Sequence, residues 1–149
     1  MNTDLIVFIA VVFFTFFNNA LHWYTQLTTY PLFAWVGRKE FLGFHLEYQR
    51  RLPFSIYAPY SLLMISTLLL FVFRPAQISS VWVISLTVLN AAIMFESLIF
   101  AAPIHKRLDA QEFGDETRIR QLIRYNGVRV VTSSVSSIAV LYLLTKVLS

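Results

Sequence analysis

Four long apolar stretches alternate with shorter polar segments along the chain. They run over residues 5–24, 55–73, 80–102 and 119–148. A helix of about 20 residues is long enough to cross the roughly 30 Å hydrocarbon core of a bilayer. The pattern therefore predicts an all-α, polytopic membrane protein, a bundle of four transmembrane helices that forms a single domain over residues 1–149.

The fourth stretch is the least apolar, because Thr132 and four serines interrupt it between residues 132 and 137. Small hydroxylated side chains are common where membrane helices pack closely, so we expect this stretch at a helix–helix interface. Gly114 and Asp115 mark a turn ahead of it. Asp115 is a suitable N-cap, and the last helix is therefore expected to begin near residues 115–117.

The segment between the first two spans also has a helical pattern. Over residues 38–52, Phe41, Phe44, His45 and Tyr48 recur at helical spacing, while charged residues occupy another face. This pattern is typical of an amphipathic helix that lies along a membrane surface. We predict a short interfacial helix in the first loop.

Composition narrows the class of protein further. Hydrophobic residues make up 57% of the 149 residues, charged residues only 13%, and the net charge is +4. An ordinary soluble domain is about 45–50% apolar and about 25% charged. The basic residues flank apolar stretches, which favours contact with a lipid bilayer and argues against nucleic-acid binding. The absence of cysteine excludes disulfides, thiolate metal sites and a catalytic cysteine.

The distribution of Lys and Arg predicts the orientation of the chain. Nine of these residues flank the first and third loops, whereas Arg74 and Lys146 stand at the opposite end. By the positive-inside rule, the first and third loops are expected in the cytoplasm and both termini outside it. We expect a multi-pass protein of the bacterial inner membrane.

Polar side chains inside the apolar stretches are the best guide to a site, because they are costly in lipid and usually face the bundle interior. Together with His45 of the predicted interfacial helix, they concentrate toward the first and third loops. The set comprises Asn18, Asn19, His22, His45, Glu96, His105, Asn126 and Arg129. The outer half is almost purely apolar, so we expect a pocket open toward the cytoplasm or inner leaflet rather than a channel.

These residue types indicate acid–base chemistry. The predicted catalytic residues are His22, His45, His105, Asn126 and Arg129. A histidine would abstract a proton, and Arg129 and Asn126 would stabilise the resulting enolate or phenolate. The predicted substrate pocket adds Asn18, Asn19 and Glu96, with Tyr60 placed to bind a flat ligand.

Several of these residues have structural alternatives. Glu96 could form a buried ion pair with Arg129, or it could accept a proton or ligate a metal. Each histidine could be a hydrogen-bonded interior or interfacial residue. If a metal is bound, its ligands would be His22, His45, Glu96 and His105, although the chain lacks an H-x-x-H or E-x-x-H spacing. A single metal ion, a heme and no cofactor at all remain open.

Short motifs connect these positions to a known family. They are Thr28-Thr29-Tyr30-Pro31-Leu32-Phe33, Phe41-x-x-Phe44-His45, Pro103-Ile104-His105-x-x-Leu108 and Ile119-x-x-Leu122-Ile123-x-x-Asn126-x-x-Arg129. Over roughly residues 19–131 the chain resembles small four-helix bacterial integral membrane proteins of unknown function, which are loosely grouped with the anthrone oxygenase-like membrane family. Fungal members of that family oxidise anthrones to anthraquinones without an obvious cofactor.

The matching positions overlap the predicted pocket residues and add Tyr30 to the substrate pocket. The resembled proteins often carry a Trp directly after the residue that corresponds to Asn126. Gly127 stands there in this chain, a departure that is expected to widen the cavity.

Two classes of function follow from these observations. The first is a membrane oxidoreductase, oxygenase-like, that acts on a lipophilic aromatic or quinone-like substrate. The alternative is a non-enzymatic membrane assembly factor or small carrier, which would bind a protein partner or a second copy of the chain. Ion or proton conduction ranks last, because it needs polar groups through both halves of the bundle.

Overall fold

The computed structural model describes residues 2–111 and 113–149. Within these residues the chain forms four helices that are long and apolar enough to cross a membrane, and it contains no strand. They are α1 (Thr3–Phe33), α2 (Phe41–Leu69), α3 (Ser80–Gln111) and α4 (Glu116–Leu148). The predicted all-α four-helix membrane bundle is confirmed.

The helices differ in length from the predicted spans. Helix α1 continues past Tyr24, and α3 continues past the proline that was expected to end it. The helix predicted over residues 38–52 is present as Phe41–Leu52, but it does not end in the first loop: it runs directly into the second span as the start of α2. At its other end α2 stops at Leu69, followed by tight turns through residue 73.

Three π-helical stretches explain how the helices pass three of the four prolines inside them, all but Pro53. Each stretch begins six residues before a proline, and the residue directly before that proline donates its N–H five positions back. A proline ring clashes with the carbonyl four residues earlier, and a wider turn relieves this clash without ending the helix. The pairs found in the described part of the chain are Thr25–Thr29 with Pro31, Pro53–Tyr57 with Pro59, and Ser97–Ala101 with Pro103.

The helices run up and down, so each end of the bundle has its own apolar core. We call the end that carries residues 34–40 and 113–115 the basic end, and the opposite end the terminal end. The terminal-end core consists of Val7, Phe8, Val11, Leu70, Ile78, Val83, Leu86, Val140 and Leu143. The basic-end core consists of Tyr30, Phe33, Phe41, Ala101, Ile104, Leu108, Ile119 and Leu122.

The loop before α4 packs tightly on the basic-end core. A Cβ atom at Gly114 would lie 2.9 Å from ring atoms of Phe41, so only glycine allows this approach without a shift. Asp115 then caps α4 as predicted, because its side chain accepts hydrogen bonds from the backbone of Thr117 and Arg118 at 2.8 and 3.2 Å. The third loop is thereby fixed against the core.

Candidate functional site

A cavity of about 370 Å³ lies in the half of the bundle toward the basic end. Each of the three π-helical stretches contributes to its wall, through residues such as Thr25, Tyr57 and Ser97. Most of the wall is apolar or aromatic. The sequence-predicted residues that line it are His22, Tyr30, Tyr60, His105, Asn126 and Arg129.

The cavity opens sideways between α2 and α3. Tyr57 and Leu98 both line it, yet their residues are 56% and 61% exposed. All of Pro53–Tyr57 is at least partly exposed, so this π-helical stretch leaves the wall uncovered on its outer side. In a bilayer the opening therefore faces lipid.

A chain of hydrogen bonds leads from the cavity wall toward the surface at the basic end. Arg129 Nη2 lies 3.4 Å from the Tyr30 hydroxyl, which lies 3.3 Å from His105 Nε2. His105 Nδ1 is 2.8 Å from His45 Nε2, and His45 Nδ1 is 2.6 Å from a carboxylate oxygen of Asp109. Five side chains from all four helices thus form one continuous connection.

His45 lies behind the cavity wall rather than in it. Its residue is fully buried, its ring lies against that of Phe41 at a centroid distance of 5.4 Å, and it meets the His105 ring edge to edge through their 2.8 Å hydrogen bond. The start of α2 places it there, because Phe41 and His45 are one turn apart on the buried face. His45 therefore reaches the cavity only through His105.

Asp109 forms the outer end of the connection. Its side chain is 28% exposed, whereas the other four residues of this hydrogen-bonded connection are buried. Gln49 Nε2 donates to both carboxylate oxygens, at 3.0 and 2.8 Å. The carboxylate is thus held toward His45 while one side remains in contact with the exterior.

Arg129 and Glu96 form the buried ion pair that was one of the alternatives for Glu96. Arg129 Nε lies 2.9 Å from a Glu96 oxygen, and each side chain is 10% exposed. Neither Glu96 oxygen makes an aligned hydrogen bond within the described residues, so the interaction between Glu96 and Arg129 is an electrostatic attraction. Arg129 Nη1 also donates to Ser97 Oγ at 3.2 Å. Glu96 stands behind Arg129 and orients the guanidinium toward Tyr30.

Asn126 and His22 place two further polar atoms at the cavity. Asn126 Nδ2 donates to the His22 carbonyl at 3.0 Å and to Gln26 Oε1 at 2.9 Å. Asn126 Oδ1 and His22 Nε2 are buried and have no hydrogen-bond partner among residues 2–111 and 113–149. Gly127 does not line the cavity, and a Cβ there would meet only Gln26, at 3.9 Å.

The structure places Asn18 and Asn19 in helix contacts instead of the cavity wall. Asn18 Nδ2 donates to the carbonyls of Phe14 and Pro59, and so joins α1 to α2. Asn19 Oδ1 accepts from Ser133 at 2.9 Å, on the serine-rich face of α4. Both side chains are on faces of α1 that meet neighbouring helices. Tyr60 does line the cavity, and its hydroxyl donates to the backbone carbonyl of Asn90.

The residues suggested as metal ligands do not assemble into one set. Within the part of the chain that the structure describes, no three His, Asp or Glu side chains converge in a metal-binding arrangement. His45 and His105 hydrogen-bond to each other through the nitrogens that would face a shared ion. Glu96 pairs with Arg129 instead, and His22 Nε2 has no hydrogen-bond partner among the described residues.

Sequence inspection alone missed Asp109 and Gln49. Asp109 is four residues after His105, and Gln49 is four residues after His45, so each pair shares a helix face. This four-residue spacing to a histidine could have identified both residues from the sequence. It was obscured because Asp109 lies in a strongly polar segment that is typical of a solvated loop.

A scan against protein-family models and searches of curated proteins and of solved structures found no match to this chain. Its function must be inferred from the chemistry of the site.

Proposed function

We propose that this protein is a membrane enzyme that binds a lipophilic aromatic or quinone-like molecule in the cavity and removes a proton from it. Proton removal would be the first step of an oxygenase-like oxidation. The observation that carries the proposal is the Tyr30 hydroxyl at the cavity wall, in contact with a guanidinium at 3.4 Å and an imidazole nitrogen at 3.3 Å. A hydroxyl so placed can pass a proton to a base while a cation stabilises negative charge beside it.

The reaction divides among three side chains. A substrate C–H or O–H bond breaks, and its proton passes to Tyr30 as Tyr30 passes its own proton to His105. The electron pair remains on the substrate as an enolate or phenolate, next to the Arg129 guanidinium. For an anthrone, the resemblance implies that dioxygen then oxidises the anion to an anthraquinone with formation of water.

The sideways opening supports entry from the bilayer. A flat molecule can pass between Tyr57 and Leu98 without leaving lipid, and the aromatic wall offers surfaces on which a ring can stack. With the basic end in the cytoplasm, the opening lies toward the inner leaflet of a bacterial inner membrane.

Oxidation of anthrone in air by the protein in nanodiscs tests this function. The protein should accelerate formation of anthraquinone over empty nanodiscs, with absorbance as the readout. Tyr30→Phe should lower the rate by about 10²–10⁴-fold, because the transferable proton is lost while the ring remains. Tyr142→Phe is the matched control, since Tyr142 packs at the terminal end. A Tyr30→Phe variant that binds anthrone and retains the full rate would refute the role of Tyr30.

A carrier that binds without chemistry is the second candidate. The sideways opening favours it equally, because such an opening serves uptake and release as well as catalysis. Assembly with a protein partner has weaker support, from Trp35 and Phe54, which are each 85% exposed near the basic end. Tight anthrone binding without turnover would favour the carrier, and stable co-purification with another membrane protein would favour the assembly factor.

A further inference from the structure

The hydrogen bonds between the cavity and Asp109 have one direction when Asp109 is a carboxylate. His45 Nδ1 must then donate to Asp109, so His45 Nε2 accepts from His105 Nδ1. His105 Nε2 in turn accepts from the Tyr30 hydroxyl, whose oxygen accepts from Arg129. Every group donates once along the chain, and every transferable proton points toward Asp109.

We propose that Asp109 is the residue through which the cavity exchanges protons with water at the basic end, and that His45 is the link between them. The proposal rests on the proposed function, because it supplies the route for the proton removed from the substrate. It adds two residues to the proton-transfer machinery, neither of which lines the cavity.

The transfer balances at every step. The substrate proton moves to Tyr30 Oη as the Tyr30 proton moves to His105 Nε2. The His105 Nδ1 proton moves to His45 Nε2, and the His45 Nδ1 proton moves to Asp109, which releases it to water. The substrate has become an anion and one proton has left the protein. The protons of both imidazoles now lie on the opposite nitrogens, so the chain is set to return a proton from water to the cavity.

The surroundings of His45 make this route insulated from lipid and water. Phe33 meets the His45 ring edge-on at 5.5 Å, and Phe41 stacks on its face. Of the five hydrogen-bonded residues from Arg129 to Asp109, Asp109 has the most exposed side chain, at 28%. Gln49 holds both of its oxygens, which keeps the carboxylate in line with His45. Gln49 is therefore a positioning residue.

The other charged group near the cavity does not offer an equivalent exit. Glu96 is bound to Arg129 at 2.9 Å and its side chain is 10% exposed. Protonation of Glu96 would abolish its attraction to Arg129, and the proton would remain inside the bundle. Toward the terminal end, the apolar core around Phe8 and Leu143 separates the cavity from water.

Isotope exchange separates proton exit from the later oxidation. Anthrone deuterated at C10 is bound to the full-length protein in nanodiscs in ordinary water under argon, and loss of deuterium is followed by mass spectrometry. Asp109→Asn should slow this loss by about 10²–10⁴-fold while anthrone binding, followed by fluorescence, is unchanged. The asparagine can still accept a hydrogen bond from His45, but it cannot take up the proton.

Two further variants make the test specific. Glu116→Gln removes an exposed carboxylate at the same end and should exchange like the wild type. Asp109→Ala should be slow, and added carboxylate buffers should restore exchange in the order of their basicity, a response that a purely structural role for Asp109 would not produce. His45→Gln should be slow and should not respond to these buffers, because the link itself is missing.

The outcomes distinguish this proposal from the function on which it rests. If the wild type binds anthrone but exchanges no faster than empty nanodiscs, proton removal in the cavity is refuted, and the exit route with it. If the wild type exchanges rapidly and Asp109→Asn exchanges equally fast, the proposed function stands and the route through Asp109 is overturned.

Discussion

Removal of one partner of the Arg129–Glu96 ion pair should destabilise the bundle much more than removal of both. The charged atoms are 2.9 Å apart and the side chains are 10% exposed. At an effective dielectric constant of about 20, unit charges at this distance attract by about 6 kcal/mol, which desolvation of both groups largely offsets. A single substitution leaves one buried charge without its partner and should cost about 3–5 kcal/mol.

A double-mutant cycle measures this coupling. The free energy of unfolding in detergent micelles is compared for Glu96→Gln, Arg129→Gln, the double variant and the wild type. The double variant should be less destabilised than either single variant, and so less than their sum by at least about 3 kcal/mol, since no unpaired charge remains. The exposed pair Glu116–Arg120 is the matched control, with an expected coupling of about 0.3–0.5 kcal/mol. Additive effects at Glu96 and Arg129 would refute a buried, charged pair.

Three further substitutions test other contacts. Gly114→Ala should lower stability by about 1–3 kcal/mol in thermal unfolding, because its Cβ would press on the Phe41 ring at 2.9 Å; unchanged stability would contradict this close packing. Leu98→Trp should narrow the sideways opening and raise the Kd for anthrone about tenfold, a loss of about 1.4 kcal/mol, whereas unaltered binding and entry rates would place the entrance elsewhere. Thr67→Val should cost about 1–3 kcal/mol of unfolding free energy, because it removes the 3.3 Å hydrogen bond from buried Asn90; a neutral effect would show that Asn90 finds another partner.

The number and type of helices could be predicted because hydrophobic length alone decides them. The start of α4 could be predicted too, since Asp115 has the chemistry of an N-cap and performs that role. The start of α3 at Ser80 and the end of α4 at Leu148 also match the predicted spans, whereas the ends of α1 and α3 and both ends of α2 could not be predicted. Pro31 and Pro103 are ordinary stop signals, but a π-helical turn ahead of each lets the helix continue. Such a turn depends on packing around it, which no local pattern reveals.

The site residues that could be predicted were those whose polar side chains are costly to place in lipid. His22, His105, Asn126 and Arg129 are expensive in lipid, and the structure places all four at the cavity. The cost of a polar side chain in lipid does not distinguish a cavity residue from one that joins two helices. For this reason Asn18, which joins α1 to α2, was predicted to line the pocket. Asp109 carries no such signal, because a carboxylate at a helix end is cheap in water. Its importance arises only when His45, from a helix distant in sequence, packs against it.

The prolines that obscured the helix ends are also the means by which the cavity is built. Each π-helical turn adds a residue to one turn of its helix and leaves backbone groups outside the regular hydrogen-bond ladder. At membrane depth such irregular backbone is tolerated only where protein or a cavity surrounds it. Three such turns, on α1, α2 and α3, contribute to the wall of one cavity, at Thr25, Tyr57 and Ser97. The same proline-linked turn therefore recurs on three helices around one cavity, which ties the shape of the cavity to Pro31, Pro59 and Pro103 together rather than to any one helix.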